Sequence, residues 1–136
     1  MKVYINDRIR NEFYETVRSV NSPIVKYLNA GLHRKEIEAK IKLLNLFFPE
    51  EAYAFYNYNN GIDLDMAQKE FIEIWIVPLG TIISLENAIN RYSNLAGKIE
   101  GWKKSMFPIF ESTGGDFYLL DCKKHSPNYG FVYYTP

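Results

Sequence analysis

The 136-residue chain carries 16 Lys plus Arg against 16 Asp plus Glu, so its zero net charge gives no bias toward nucleic acid or an anionic membrane. Hydrophobic residues at 47% and charged residues at 24% are the balance of a globular chain and exclude intrinsic disorder. The single cysteine, Cys122, excludes an internal disulfide framework and a zinc site of several cysteines.

Aromatic residues reach 16%, and Tyr is the most frequent of them. Tyr suits both cores and interfaces, because it joins an apolar body to a polar tip. The length fits one domain spanning 1–136, with a helical part over 1–45 and the main motifs over 49–134. A lone thiol fits a reducing compartment. Met1 to Arg10 has no apolar signal core, and no apolar run approaches the roughly 20 residues of a membrane span. The expectation is a cytoplasmic protein.

In chain order, Ile9, Phe13 and Val17 recur at helical spacing, with Asn6 or Asp7 as caps and a break at Asn21-Ser22-Pro23. Ile37, Ile41 and Leu44 form a second stripe, flanked by Arg34, Lys35, Glu36, Glu38, Lys40 and Lys42 as a solvated face. Phe48-Pro49-Glu50-Glu51 predicts a helix start: proline suits the first helical position, and the two carboxylates suit the positive end of the dipole. Ala52, Phe55 and Tyr56 would face the core. Asn60-Gly61 supplies a turn.

Phe71 to Val77 is β-branched and aromatic and predicts a strand, which Pro78-Leu79-Gly80 ends or bends. Ser84 caps a helix carrying Leu85, Ala88, Ile89, Tyr92 and Leu95, with Gly97 just past its end. Phe107 to Phe110 reads as a strand whose Pro108 suits an edge. Ser112 to Asp116 is a hairpin turn, Phe117 to Asp121 the return strand, Lys123 to Asn128 a polar loop, and Gly130 to Tyr134 a last strand. The last strand is expected to be an uncovered edge, open to pairing in a weak homodimer; otherwise the chain is a monomer. The fold class is α+β: a twisted antiparallel or mixed sheet with helices mainly on one face.

Catalytic and ligand-binding patterns are thin. Cys122 and His125 would make a thiolate–imidazole pair only if the loop folded back, and no local motif supports it. Asp63-Leu64-Asp65 lacks the remaining positions of a calcium loop. Gly114-Gly115 lies between strands, without the following helix that a phosphate loop needs. Lys103-Lys104 and Lys123-Lys124-His125 are too short for a nucleic-acid stripe.

From Pro49 onward the order of motifs resembles the SUKH superfamily, which includes yeast cell-wall assembly regulators and many bacterial immunity proteins. The pieces are Pro49 opening a helix, Asn60-Gly61 after it, Ile76-Val77-Pro78-Leu79-Gly80, the helix from Leu85, and the segment from Phe107-Pro108 through Gly114-Gly115-Asp116 to Asp121. The resemblance covers Pro49 to Tyr134 and extends to the helix of Ile37 and Ile41. It implies a SUKH-like fold, with a C-terminal helix often following the point where Pro136 stands. It also implies a non-catalytic bacterial protein, without cofactor or metal, that binds and neutralises a toxin, often a nuclease; the alternative is a regulatory scaffold with an endogenous partner. Tyr56, Tyr58, Asp63, Asp65, Trp102 and Tyr129, in or beside predicted loops, are the candidate partner contacts. Direct contact with nucleic acid or membrane is not expected.

Overall fold

The computed structural model describes residues 2–4, 27–63, 80–112 and 115–135. The helix expected around Ile9, the strand expected over Phe71 to Val77, and Asp65, Pro78 and Gly114 lie outside the described residues. The architecture is α+β. Strands β1 (Lys2–Tyr4), β2 (Gly80–Ile82), β3 (Met106–Ser112), β4 (Phe117–Asp121) and β5 (Phe131–Thr135) pair antiparallel in the order β1-β5-β4-β3-β2. The α-helices among the described residues are α1 (Arg34–Ile41), α2 (Glu50–Tyr58) and α3 (Leu85–Leu95).

Two expectations about the sheet are corrected. The last strand is not an edge: β5 lies between β4 and β1, whose Lys2, Val3 and Tyr4 face Tyr133, Val132 and Phe131. Gly80 begins β2, and the strand expected to end or bend there lies outside the described residues. Pro108 does not mark an edge strand either, since β3 pairs with both β4 and β2. Two features accommodate its missing N–H: the β3–β4 register shifts between Pro108 and Phe110, and β2 pairs only with Phe110 to Ser112. Proline inside a sheet is confined to such irregularities.

Each helix starts for a local reason. Glu36 reaches back to the His33 N–H at 3.2 Å, closing the first turn of α1. Pro49 stands one residue earlier than expected, as the extended N-cap of α2, and Glu50 and Glu51 fill the first turn. Ser84 Oγ accepts from the Asn87 N–H at 3.1 Å at the start of α3.

Ile37 and Ile41 of α1, Ala52, Phe55 and Tyr56 of α2, and Leu85 and Ala88 of α3 pack on Phe107, Ile109, Phe110, Leu120 and Val132 of the sheet. Alternation along β4 sends Phe117 and Leu119 to the other face. There they meet Ala96, Trp102 and Met106 in a smaller second core.

Asn59, Asn60 and Gly61 join the helices. The Asn59 side chain turns back to α2, donating to the Phe55 carbonyl at 3.1 Å and accepting from the Gly61 N–H at 2.9 Å. Asn60 Oδ1 accepts from the Leu85 N–H at 2.7 Å, and its Nδ2 donates to Glu86 at 2.9 Å. Gly61 has φ +81, and an added Cβ would lie 2.5 Å from the Ser84 nitrogen. The Asn-Gly pair is therefore a joint between α2 and the start of α3, which no larger residue at Gly61 would permit.

Asp116 and Asp121 hold the ends of β4. Asp116 accepts from the Tyr134 hydroxyl at 2.8 Å. The buried Asp121 carboxylate accepts from the Lys123 N–H at 2.9 Å, and its carbonyl accepts from the Gly130 N–H at 2.9 Å. Gly115 takes φ +84 in the hairpin.

Tyr56 is fully buried, stacked on Phe48 at 6.1 Å, and its hydroxyl has no hydrogen-bond partner among the described residues. Leaving a buried hydroxyl unpaired is unfavourable. Tyr56→Phe is therefore expected to hold stability level or raise it by up to about 1 kcal/mol, read as the shift in a urea midpoint. A loss of more than about 1 kcal/mol would show that the hydroxyl has a stabilising partner.

Candidate protein-interaction surface

The spacing of charges on α1 and α2 builds one side of the surface. Arg34 opens α1, and Glu38 lies one turn on, so its carboxylate meets Arg34 Nε at 3.2 Å. The guanidinium fork also grips Glu50 at 2.7 and 2.8 Å. Tyr53 follows Glu50 by one turn of α2, and Arg34 Cζ sits 3.9 Å from its ring centroid. The fork holds Glu50 below the ordinary carboxylate range and raises Arg34. Burial raises the Tyr53 phenol, with Glu38 adding to the shift.

The other side comes from two adjacent connections. After α1, a short 3-10 turn (Lys42–Leu44) ends at Asn45 in the left-handed conformation, φ 55. Leu44 and Leu46 pack against the core, while Leu43 and Phe47 point outward, 91% and 52% exposed. The Phe47 N–H donates to the Cys122 carbonyl at 3.1 Å, which lays this stretch along the β4–β5 loop. Lys124 Nζ lies 5.3 Å from the Phe47 ring centroid. Farther along, Pro49 approaches Gly130. Tyr129 is pushed up to about 12, chiefly by burial and then by Cys122, Tyr53, Glu51 and Glu50. The approach of Pro49 to Gly130, the residue after Tyr129, thus joins the two sides.

The expected contact residues do not form one patch. Tyr56 and Trp102, at 0% and 2% exposure, are core side chains and offer nothing to a partner. Tyr56 completes the inward stripe of Ala52 and Phe55. Trp102 folds under its loop, donates from Nε1 to the Met106 carbonyl at 2.9 Å, and packs 5.1 Å from Phe117. Tyr58 is half-buried at the far end of α2, about 12 Å along its axis from Glu50, and Asp63 is half-buried in the stretch after it. The Asp63 N–H donates to the Tyr27 carbonyl at 2.7 Å. Asp65 lies outside the described residues, and of the other five Tyr129 alone falls on the surface described.

Arg34, Leu43, Phe47 and Tyr53 lie on this surface without a sequence signal that marks them. Arg34 disappears into a helix face that reads as merely solvated, because its partner Glu50 lies on another helix. Leu43 and Phe47 sit in a run of apolar residues, and only the reversal at Asn45 turns them outward.

The surroundings of Cys122 disfavour a reactive thiolate. Its thiol is buried, and burial, aided by Asp121, pushes its pKa well up. His125 stands exposed on the loop. In the native protein Cys122 is expected to react with iodoacetamide more slowly than free cysteine at neutral pH. A faster reaction, followed by mass spectrometry, would point to an activated nucleophile. Among the described residues no group of three or more His, Cys, Asp or Glu is placed to hold a metal ion. No helix among them is long and apolar enough to cross a membrane.

Residues 31–135 match the SMI1 / KNR4 family (SUKH-1). No curated protein matches the chain.

Proposed function

We propose that this chain, which belongs to the SMI1 / KNR4 family (SUKH-1), is a non-catalytic immunity protein that binds and neutralises a bacterial toxin domain. The family supports a role in protein–protein interaction. The single observation that carries the reading on this chain is the surface around Arg34, Tyr53 and Tyr129. It joins α1, α2 and the β4–β5 loop, and it presents the residue types that anchor interfaces. Arg34 is pre-set by the Glu50 fork and by Tyr53, so little side-chain freedom is lost when a partner covers it. The buried, protonated Cys122 supports the absence of nucleophilic catalysis.

The test is co-expression with the toxin-like domain encoded nearest its gene, followed by co-purification and titration calorimetry. A near-equimolar complex is expected, with toxicity suppressed. Arg34→Ala or Tyr53→Ala should weaken it about ten-fold or more. Failure to bind or protect, with an endogenous regulator recovered in its place, would replace this reading with that of a regulatory scaffold.

A further inference from the structure

The two connections that meet at Phe47 differ in charge from the rest of this neutral chain. Residues 39–49 and 122–131 contain no Asp or Glu. They carry Lys42, Lys123, Lys124 and His125, all exposed, together with the outward-facing Leu43 and Phe47. Lys40 is set aside, because it pairs with Glu86 at 3.1 Å. The adjoining acid Asp121 is buried and accepts from the Lys123 N–H within its own loop. On the far border, Glu50 is gripped by Arg34. The result is an exposed apolar pair beside lysines: Lys42 adjoins Leu43 in sequence, and Lys124, next to Lys123, lies over the Phe47 ring.

We infer that this end of the surface docks an acidic protein segment with an apolar pocket for Leu43 and Phe47 and carboxylates for the neighbouring lysines. The inference rests on the reading of the chain as a protein-binding domain and names the chemistry of its partner. Two alternatives fit less well. A single-stranded nucleic acid would stack on exposed rings, but the outward-facing Phe47 ring already lies beneath Lys124, and Leu43 gives a base nothing to stack on. A membrane surface is usually met by an amphipathic helix, whereas Leu43 sits in a three-residue 3-10 turn and Phe47 in the loop after it. An apolar centre with a charged rim is the anatomy of a protein interface, and the cations set the sign of the partner.

A random peptide-display library panned on the intact protein tests this. Enriched peptides should combine Asp or Glu with a large apolar residue. Their affinity should fall about ten-fold or more in the Leu43→Ser/Phe47→Ser double variant, and as much in Lys123→Glu/Lys124→Glu. Peptides with Lys in place of Asp or Glu should restore binding to the second variant. All substituted side chains are exposed, so an unchanged melting temperature verifies the fold. Enriched peptides without acids, binding indifferent to these variants, or no enrichment would overturn the inference. So would patch-dependent binding of oligothymidylate or phosphatidylserine vesicles in place of peptides. A toxin complex that needs Tyr53 and Tyr129 but not Phe47 would overturn it while leaving the protein-binding reading intact.

Discussion

Gly31→Ala is expected to destabilise the fold by about 3 kcal/mol, the largest effect of any small substitution here. An ideal Cβ at Gly31 would stand 1.7 Å from the Asn57 carbonyl oxygen, 2.5 Å from its carbon and 3.1 Å from the Tyr58 carbon. All three are backbone atoms of α2, so no rotamer change relieves the clash. The segment around Gly31 is fastened to α2 and the turn after it. The Leu32 N–H donates to the Tyr56 carbonyl at 2.8 Å, and Asn57 Nδ2 donates to the Leu32 carbonyl at 3.1 Å. The Asn29 N–H donates to the Gly61 carbonyl at 2.9 Å, and Leu28 bridges Ile62. Making room for one methyl group would loosen this row together. Gly101→Ala is the control: φ is +85 but nothing lies within 4 Å of its Cβ, so backbone strain alone should cost about 1 kcal/mol. Urea unfolding of both variants reads the difference. Equal midpoints would show that the segment shifts freely on α2.

Trp102→Ala is expected to cost about 3–5 kcal/mol. The indole is buried, packs against Phe117, and donates to the Met106 carbonyl. Removing it leaves a cavity in the second core and an unpaired buried carbonyl. Any loss of partner binding should therefore follow the fraction unfolded. Calorimetry at a temperature where the variant stays folded should give an affinity within about two-fold of the wild type. A ten-fold loss there, with stability kept, would return Trp102 to the interface.

Local patterns were legible where one element settles its own shape. The stripe of Ala52, Phe55 and Tyr56, the Ser84 cap and the strand from Phe117 to Asp121 all follow from nearest-neighbour chemistry, and the structure has them. The family was legible too, from the order of its motifs. What the sequence did not reveal depends on which distant segments meet. The covering of β5 requires Lys2 to Tyr4, more than a hundred residues away in the chain. The Arg34 fork requires Glu50 from another helix. Trp102 looked available beside a loop because nothing local shows that the loop closes over Phe117. Tyr56 differs, because the helical stripe of Ala52 and Phe55 already turns it inward despite the turn that follows.

The joint at Asn60 and Gly61 also bears on chemical ageing. In a loose chain, an Asn-Gly pair is prone to deamidation. The glycine nitrogen attacks the carboxamide, ammonia leaves, and water opens the ring to aspartate or isoaspartate. Here the Gly61 N–H is engaged by Asn59, and the Asn60 carboxamide is clamped between the Leu85 N–H and Glu86. The fold should therefore preserve its own joint. Where conversion did occur, it would set a new carboxylate against Glu86 at the start of α3. Isoaspartate should accumulate faster in urea-unfolded protein than in native protein, and equal rates would show that the clamp gives no protection. Unfolding, even when brief, would then leave a lasting chemical mark.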